Sequence, residues 1–220
     1  MGKLRLVFTK EGRAVYISHL DLLRTFQRVF IREGLVLRHS QGFHPHPIIS
    51  FAMPLSVGQS SCCEILDFEL TEDHDGRGLV ERFNQFMPEG IYATECFVPR
   101  KPVRDLATLH CEVKFFYDNG VPADAISRME ELFSAGSIVI QKRTKRKELA
   151  DVDIRPMIEK ISIEETEGGL RIEAYVCAQN PGLNPALLET AVERYLPDLK
   201  PDFVTVRRLE MLDGDGKRFC

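Results

Sequence analysis

The 220-residue sequence predicts an α+β chain of two tandem units, each running β-α-β-β-α-β. Three observations lead there. Short apolar runs of period two alternate with runs of helical period. The order strand, helix, two strands, helix, strand occurs once before residue 104 and again after it. A Pro- and Arg-rich joint, Pro99–Asp105, falls between the two. That order is the ferredoxin-like arrangement, so the predicted domains are 1–104 and 105–220. Element order alone supports the duplication, and one continuous α+β domain is the alternative.

In the first half, Leu4, Leu6 and Phe8 alternate with Arg5, Val7 and Thr9, and Ala14–Ile17 continues in the same style, with Gly12 as a turn or bulge. Ser18-His19-Leu20-Asp21 gives a capping-box signal, Asp standing in for the usual Glu. Leu22, Leu23, Phe26, Val29 and Phe30 form the apolar stripe of a helix that ends at Gly34. The connection Ser40–Pro47 is rich in Pro and His. Ile48–Met53 and Cys63–Leu70 are strand-like, Gly78–Met87 helical, and Ile91–Val98 a closing strand. In the second half the same reading gives a strand at Leu109–Tyr117, a helix from Pro122 to about Phe133 and a strand at Ser137–Gln141. Ile158–Glu165 and Leu170–Cys177 form a hairpin across Glu167-Gly168-Gly169. Asn184-Pro185 starts a helix, and Asp202–Met211 closes the unit.

Composition excludes some classes. With 44% hydrophobic and 28% charged residues the chain can bury a core. No run approaches the roughly 18 apolar residues of a membrane span, and the N-terminus lacks the apolar segment of a signal peptide. The six cysteines show no repeated C-x-x-C spacing, which fits reduced thiols and a cytoplasmic address. The net charge is −4, but residues 1–60 hold eight Lys or Arg against three acids, leaving a balance of −9 for the rest. A second basic run, Lys142-Arg143-Thr144-Lys145-Arg146-Lys147, interrupts that acidic remainder and is expected to be a mobile hairpin or loop. Two basic concentrations point to an anionic partner such as RNA, with solvated surface charge as the plain alternative.

Several residues could carry chemistry. Arg24, Arg28 and Arg32 recur every four residues and stack on one helix face, at a spacing that can follow successive phosphates. His19, just inside the helix start, could as a neutral imidazole take a ribose 2′-hydroxyl proton; a capping or positioning role is the alternative. Phe43, behind Gly42, could stack on a base, and His44-Pro45-His46 presents imidazoles from an extended segment. His39, His44 and His46 with Cys62 and Cys63 include suitable zinc ligands, but no C-x₂₋₄-C pair exists, and no metal is expected. The phosphate-loop, dinucleotide-binding and nucleophile-elbow motifs are all missing, as is the C-x₃-C-x₂-C signature of radical S-adenosylmethionine (radical SAM) clusters. No cofactor is therefore expected, and neither a membrane nor DNA is an expected partner.

The string Ser18-His19-Leu20-Asp21 with Arg24, then Gly42-Phe43 with Pro45 and Pro47, then Ser50-Phe51-Ala52-Met53-Pro54-Leu55 with Gly58, resembles a bacterial radical-SAM-linked domain family of unknown function. The similarity is strongest over about residues 3–70 and takes in Asp153-Ile154-Arg155-Pro156. His44 and Ser56 depart from it, standing where a small polar residue and a Pro are usual. The resemblance implies a radical SAM protein as partner, since members occur alone or fused to one that binds cobalamin. Joined to the charge placement, it gives the expected function: an accessory module that holds a tRNA or rRNA for modification. The expected contacts are His19, Asp21, Arg24, Arg28, Phe43, His46, Lys142, Arg143, Lys145, Arg146, Lys147 and Arg155. A ribonuclease-like enzyme with His19 as base, and a protein-docking module without RNA affinity, are the rival expectations.

Overall fold

A computed structural model of the chain describes residues 2–143 and 149–219, with the Arg143 side chain outside the description. The chain is α+β and forms two compact units, one running to Asp105 and one from Leu106 to Phe219. No described helix is long and apolar enough to cross a membrane.

The first unit contains β1 (Lys3–Lys10), α1 (His19–Arg32), β2 (Ile49–Phe51), β3 (Ser60–Glu69), α2 (Leu79–Asn84) and β4 (Ile91–Phe97). Its strands run β4-β1-β3, with β2 also paired to β3, and each of these pairings is antiparallel. Leu4, Leu6 and Phe8 of β1 and Leu66 and Phe68 of β3 are buried beneath Phe26, Phe30 and Phe83 from the helices. The aromatic rings meet edge-on, Phe8 with Phe26 and Phe30 with Phe68 each at 4.8 Å, the geometry their quadrupoles favour. Two sequence expectations change here. Ala14–Ile17 does not continue the strand: Gly12–Tyr16 is a 3-10 turn, entered through Gly12 at φ +55°. Glu11 N–H donates to Gly90 O at 2.8 Å, and Gly90, at φ +86°, has no room for a Cβ, which would lie 2.4 Å from Glu11 O. The strand expected at 48–53 shrinks to Ile49–Phe51, between prolines at 47 and 54 that lack the N–H a ladder needs.

The second unit contains β5 (Leu106–Phe116), α3 (Ala125–Ser134), β6 (Val139–Arg143), β7 (Leu149–Asp153), β8 (Ile158–Thr166), β9 (Gly169–Cys177), α4 (Leu187–Tyr195) and β10 (Phe203–Asp213). Its sheet order is β10-β5-β9-β8, again antiparallel throughout. Leu109, Cys111, Val113 and Phe115 are buried on β5, as are Ile172, Ala174 and Val176 on β9. The α3 residues Met129 and Phe133 and the α4 residues Leu188, Ala191 and Val192 are buried too. Between α3 and β8 stands the separate β6–β7 hairpin, in which Lys142 pairs with Ala150 and Arg143 with Leu149. The sequence reading missed β7 and ended β6 before Lys142. Cross-strand pairing overrides the repulsion between adjacent cations that argued against a strand there.

Candidate nucleic-acid interface

The α1 helix supplies most of the candidate residues, and its start is fixed by a side-chain network. Ser18 Oγ accepts from Asp21 N–H at 3.2 Å and donates to Asp21 Oδ2 at 2.7 Å. Arg24 donates to Asp21 Oδ1 at 3.0 Å. These donors, Ser18 foremost and Arg24 next, hold the Asp21 carboxyl below the usual carboxylate range. His19 is exposed, its ring edge-on to Phe51 at 5.1 Å. Phe51 in turn touches Phe8 and Phe26, so the imidazole rests on the margin of the aromatic core.

The 39–47 loop is pinned at its base. Ser40 N–H donates to His46 O at 2.8 Å, His46 N–H to Ser40 Oγ at 3.2 Å, and Ile48 N–H to Arg38 O at 2.7 Å. The hydroxyl of Ser40 also meets His46 Nδ1 at 2.9 Å, so that ring nitrogen is occupied. Behind Gly42, whose φ is +131°, Phe43 is fully exposed. Among the described residues no three His, Cys, Asp or Glu side chains gather into a metal-binding group, so the His39, His44, His46, Cys62 and Cys63 set is not assembled.

Structure sharply reduces the charge count of the first 60 residues. Arg5 is fully buried and bidentate on Asp67, at 2.7 and 3.0 Å, and Lys3 meets the same carboxylate at 2.7 Å. Arg13 pairs with Glu89, Arg24 with Asp21 and Arg38 with Glu69. Lys10 is buried and donates to Val15 O at 3.1 Å. Arg28 and Arg32 remain. Both are exposed and have no ion pair among the described residues. With Ile17, Phe86, Met87 and Pro88 they line a groove of about 450 Å³ between α1 and the segment after α2.

The other expected contacts are distributed differently. Arg155 lies in the second unit, where its Nη1 donates to Ile158 O at 2.8 Å, and it lines a groove of about 300 Å³ with Glu130 and Phe133. Lys142 is exposed on β6. Lys145, Arg146, Lys147 and the Arg143 side chain lie outside the described residues. Sequence reasoning missed the 86–88 wall and the contact of His19 with Phe51. It named Arg32 in the helix row without ranking it above Arg24. The spacing carried that signal, because neither Arg28 nor Arg32 has an acid three or four positions away, whereas Arg24 has Asp21.

Comparison with known proteins decides the family. A family model described as "Uncharacterized protein conserved in bacteria (DUF2344)" matches residues 3–185. The chain belongs to that family. No curated protein matches it. Among solved structures, it is similar to a chain from the crystal structure of a Cbf5-Nop10-Gar1 complex, with a TM-score of 0.52 and 11% identity over 94% of this chain. It spans about half of that longer chain, 48%; at this identity the likeness concerns the fold alone. A structure of an unknown protein from Galdieria sulphuraria is similar at 9% identity, over 94% of this chain and 98% of that one, with a TM-score of only 0.28.

Proposed function

We propose that the chain binds RNA through its first unit and holds it for modification by a partner, which the family resemblance makes a radical SAM protein. The observation that carries the proposal is the free pair Arg28 and Arg32, one helical turn apart along an open groove while the cations around them are engaged. Guanidinium groups at that spacing suit consecutive phosphates. The fully exposed Phe43, on a loop pinned at both ends, is suited to stack on an unpaired base. Both units are ferredoxin-like domains in this proposal, whose boundary at 104/105 falls one residue before the division between the two compact units. Support comes from the shared helix order and a strand order that is 4-1-3-2 in each, the β6–β7 hairpin being an insertion in the second.

The reading assigns the chain no cofactor and no reaction of its own. Fluorescence anisotropy with total tRNA and a single-stranded RNA tests it. Micromolar or tighter binding is expected at low salt, weakened at least tenfold in the Arg28→Ala/Arg32→Ala double variant. Absence of binding at low salt would sink it and leave protein docking as the role. Turnover of RNA that disappears in His19→Ala, with binding retained, would instead make the chain an enzyme.

A further inference from the structure

A second groove flanks α1 on its other side. At about 100° per residue, Arg28 and Arg32 face one flank of the helix, and Gln27, Phe30 and Ile31 turn toward the other. There, Phe30, Leu35, Leu37 and Pro47, together with the polar side chains Gln27 and His39, line a groove of about 530 Å³. That volume falls in the range of small-ligand sites, and apolar walls with a few polar groups are their usual composition.

Both polar groups are available. The Gln27 amide makes no hydrogen bond among the described residues, so its donor and acceptor are free. His39 Nδ1 lies 3.0 Å from Leu37 O. A carbonyl oxygen only accepts, so Nδ1 carries the hydrogen, and Nε2 of the neutral ring is an acceptor. The backbone bridge between His39 and Pro47 holds this wall in place. Among the described residues, no carboxylate lines the groove.

We propose that this groove is a nucleobase pocket. A planar heterocycle fits the apolar walls, and its edge supplies the alternating donors and acceptors that a free amide and a free imidazole nitrogen can satisfy. A purely apolar occupant would leave both unpaired at a cost. The charge beside it favours a nucleotide over other heterocycles: Arg28 and Arg32 are the sequence neighbours of Gln27 and Ile31. A strand laid across a helix about 10–12 Å wide would put phosphate on one flank and base on the other. The assignment rests on the RNA reading for its setting, but its chemistry can be tested without phosphate.

The experiment is an NMR titration of the full chain with the four ribonucleosides, with indole as an apolar ring lacking a recognition edge. Expected are shifts at the Gln27 side-chain amide and the Leu35 and Leu37 methyls for at least one nucleoside. Affinity should fall at least fivefold in Gln27→Leu and be lost in Gln27→Trp, which fills the groove. Gln27→Glu is the reserve variant should either substitution disturb the fold; it should change which nucleoside binds best. Indole binding as tightly as every nucleoside, shifts confined to other surfaces, or indifference to the Gln27 substitutions would each overturn the pocket. Nucleoside binding in a chain with no RNA affinity would leave the pocket standing and sink the RNA reading. RNA binding that depends on Arg28 and Arg32, without nucleoside binding, would do the reverse.

Discussion

Asp21 serves the helix through its backbone and the surface through its carboxylate. Its N–H donates to Ser18 Oγ, a cap whose loss in Ser18→Ala is expected to cost about 1 kcal/mol in urea unfolding. The carboxyl is held below its ordinary value of 3.8, Ser18 being the larger cause and Arg24 the next. Because the folded value lies under the unfolded one, the stabilisation is present above the unfolded pKa and is lost as pH falls through the folded one. A carboxyl NMR titration should therefore place the Asp21 midpoint below 3.8. Ser18→Ala should raise it further than Arg24→Ala; the opposite ranking would mean that the arginine dominates. Cysteine reactivity follows from burial in the same direct way. The thiols of Cys96 and Cys111 are pushed up to about 12 by burial and stay protonated at pH 8. Alkylation followed by mass spectrometry should leave both unmodified in the native chain and modify them after denaturation.

At the level of elements, β1 and β3 are tied by more than their ladder. Arg5 and Asp67 stand directly opposite each other, and their bidentate pair is buried between the strands. Removing one partner of a buried pair leaves an uncompensated charge, so Asp67→Asn is expected to destabilise the chain by about 3–5 kcal/mol. A urea midpoint close to that of the unaltered chain would show that the site relaxes or admits water. The helices and most strands were legible from periodicity and caps, α1 most clearly: Ser18 and Gly34 bracket a stripe whose Leu22, Phe26, Val29 and Phe30 are buried. The 3-10 turn at 12–16 was not, because Ala14 and Tyr16 alternate as a strand would, and contacts distant in sequence, Glu11 with Gly90 and Val15 with Gly58, set the bend. Nor was β7, where the short Leu149–Asp153 segment follows the cationic run and gains its order from pairing with β6.

For the molecule as a whole, charge is where the sequence was most misleading. Counting Lys and Arg finds a basic first third, but neutralisation happens across long separations that no local pattern reveals. Arg5 finds Asp67, Arg13 finds Glu89 and Arg38 finds Glu69, respectively 62, 76 and 31 residues away. The candidate site was legible only where pairing is local, in Asp21 with Arg24 and in the lack of an acid three or four positions from Arg28 or Arg32. A chain of net charge −4 cannot attract a polyanion by overall charge; binding must come from the few cations left free. That has a measurable consequence. Each phosphate contact to a single strand contributes about 0.7 to the slope of log K against log salt. The Arg28→Ala/Arg32→Ala variant should therefore flatten the slope by about 1.4. Neutralising Arg13 and Arg38, which already have carboxylate partners, should change it little. If those two flatten it as much as Arg28 and Arg32 do, their ion pairs open on binding and the wider basic surface is the true interface. A slope that none of the four affects would place the RNA contact away from Arg13, Arg28, Arg32 and Arg38.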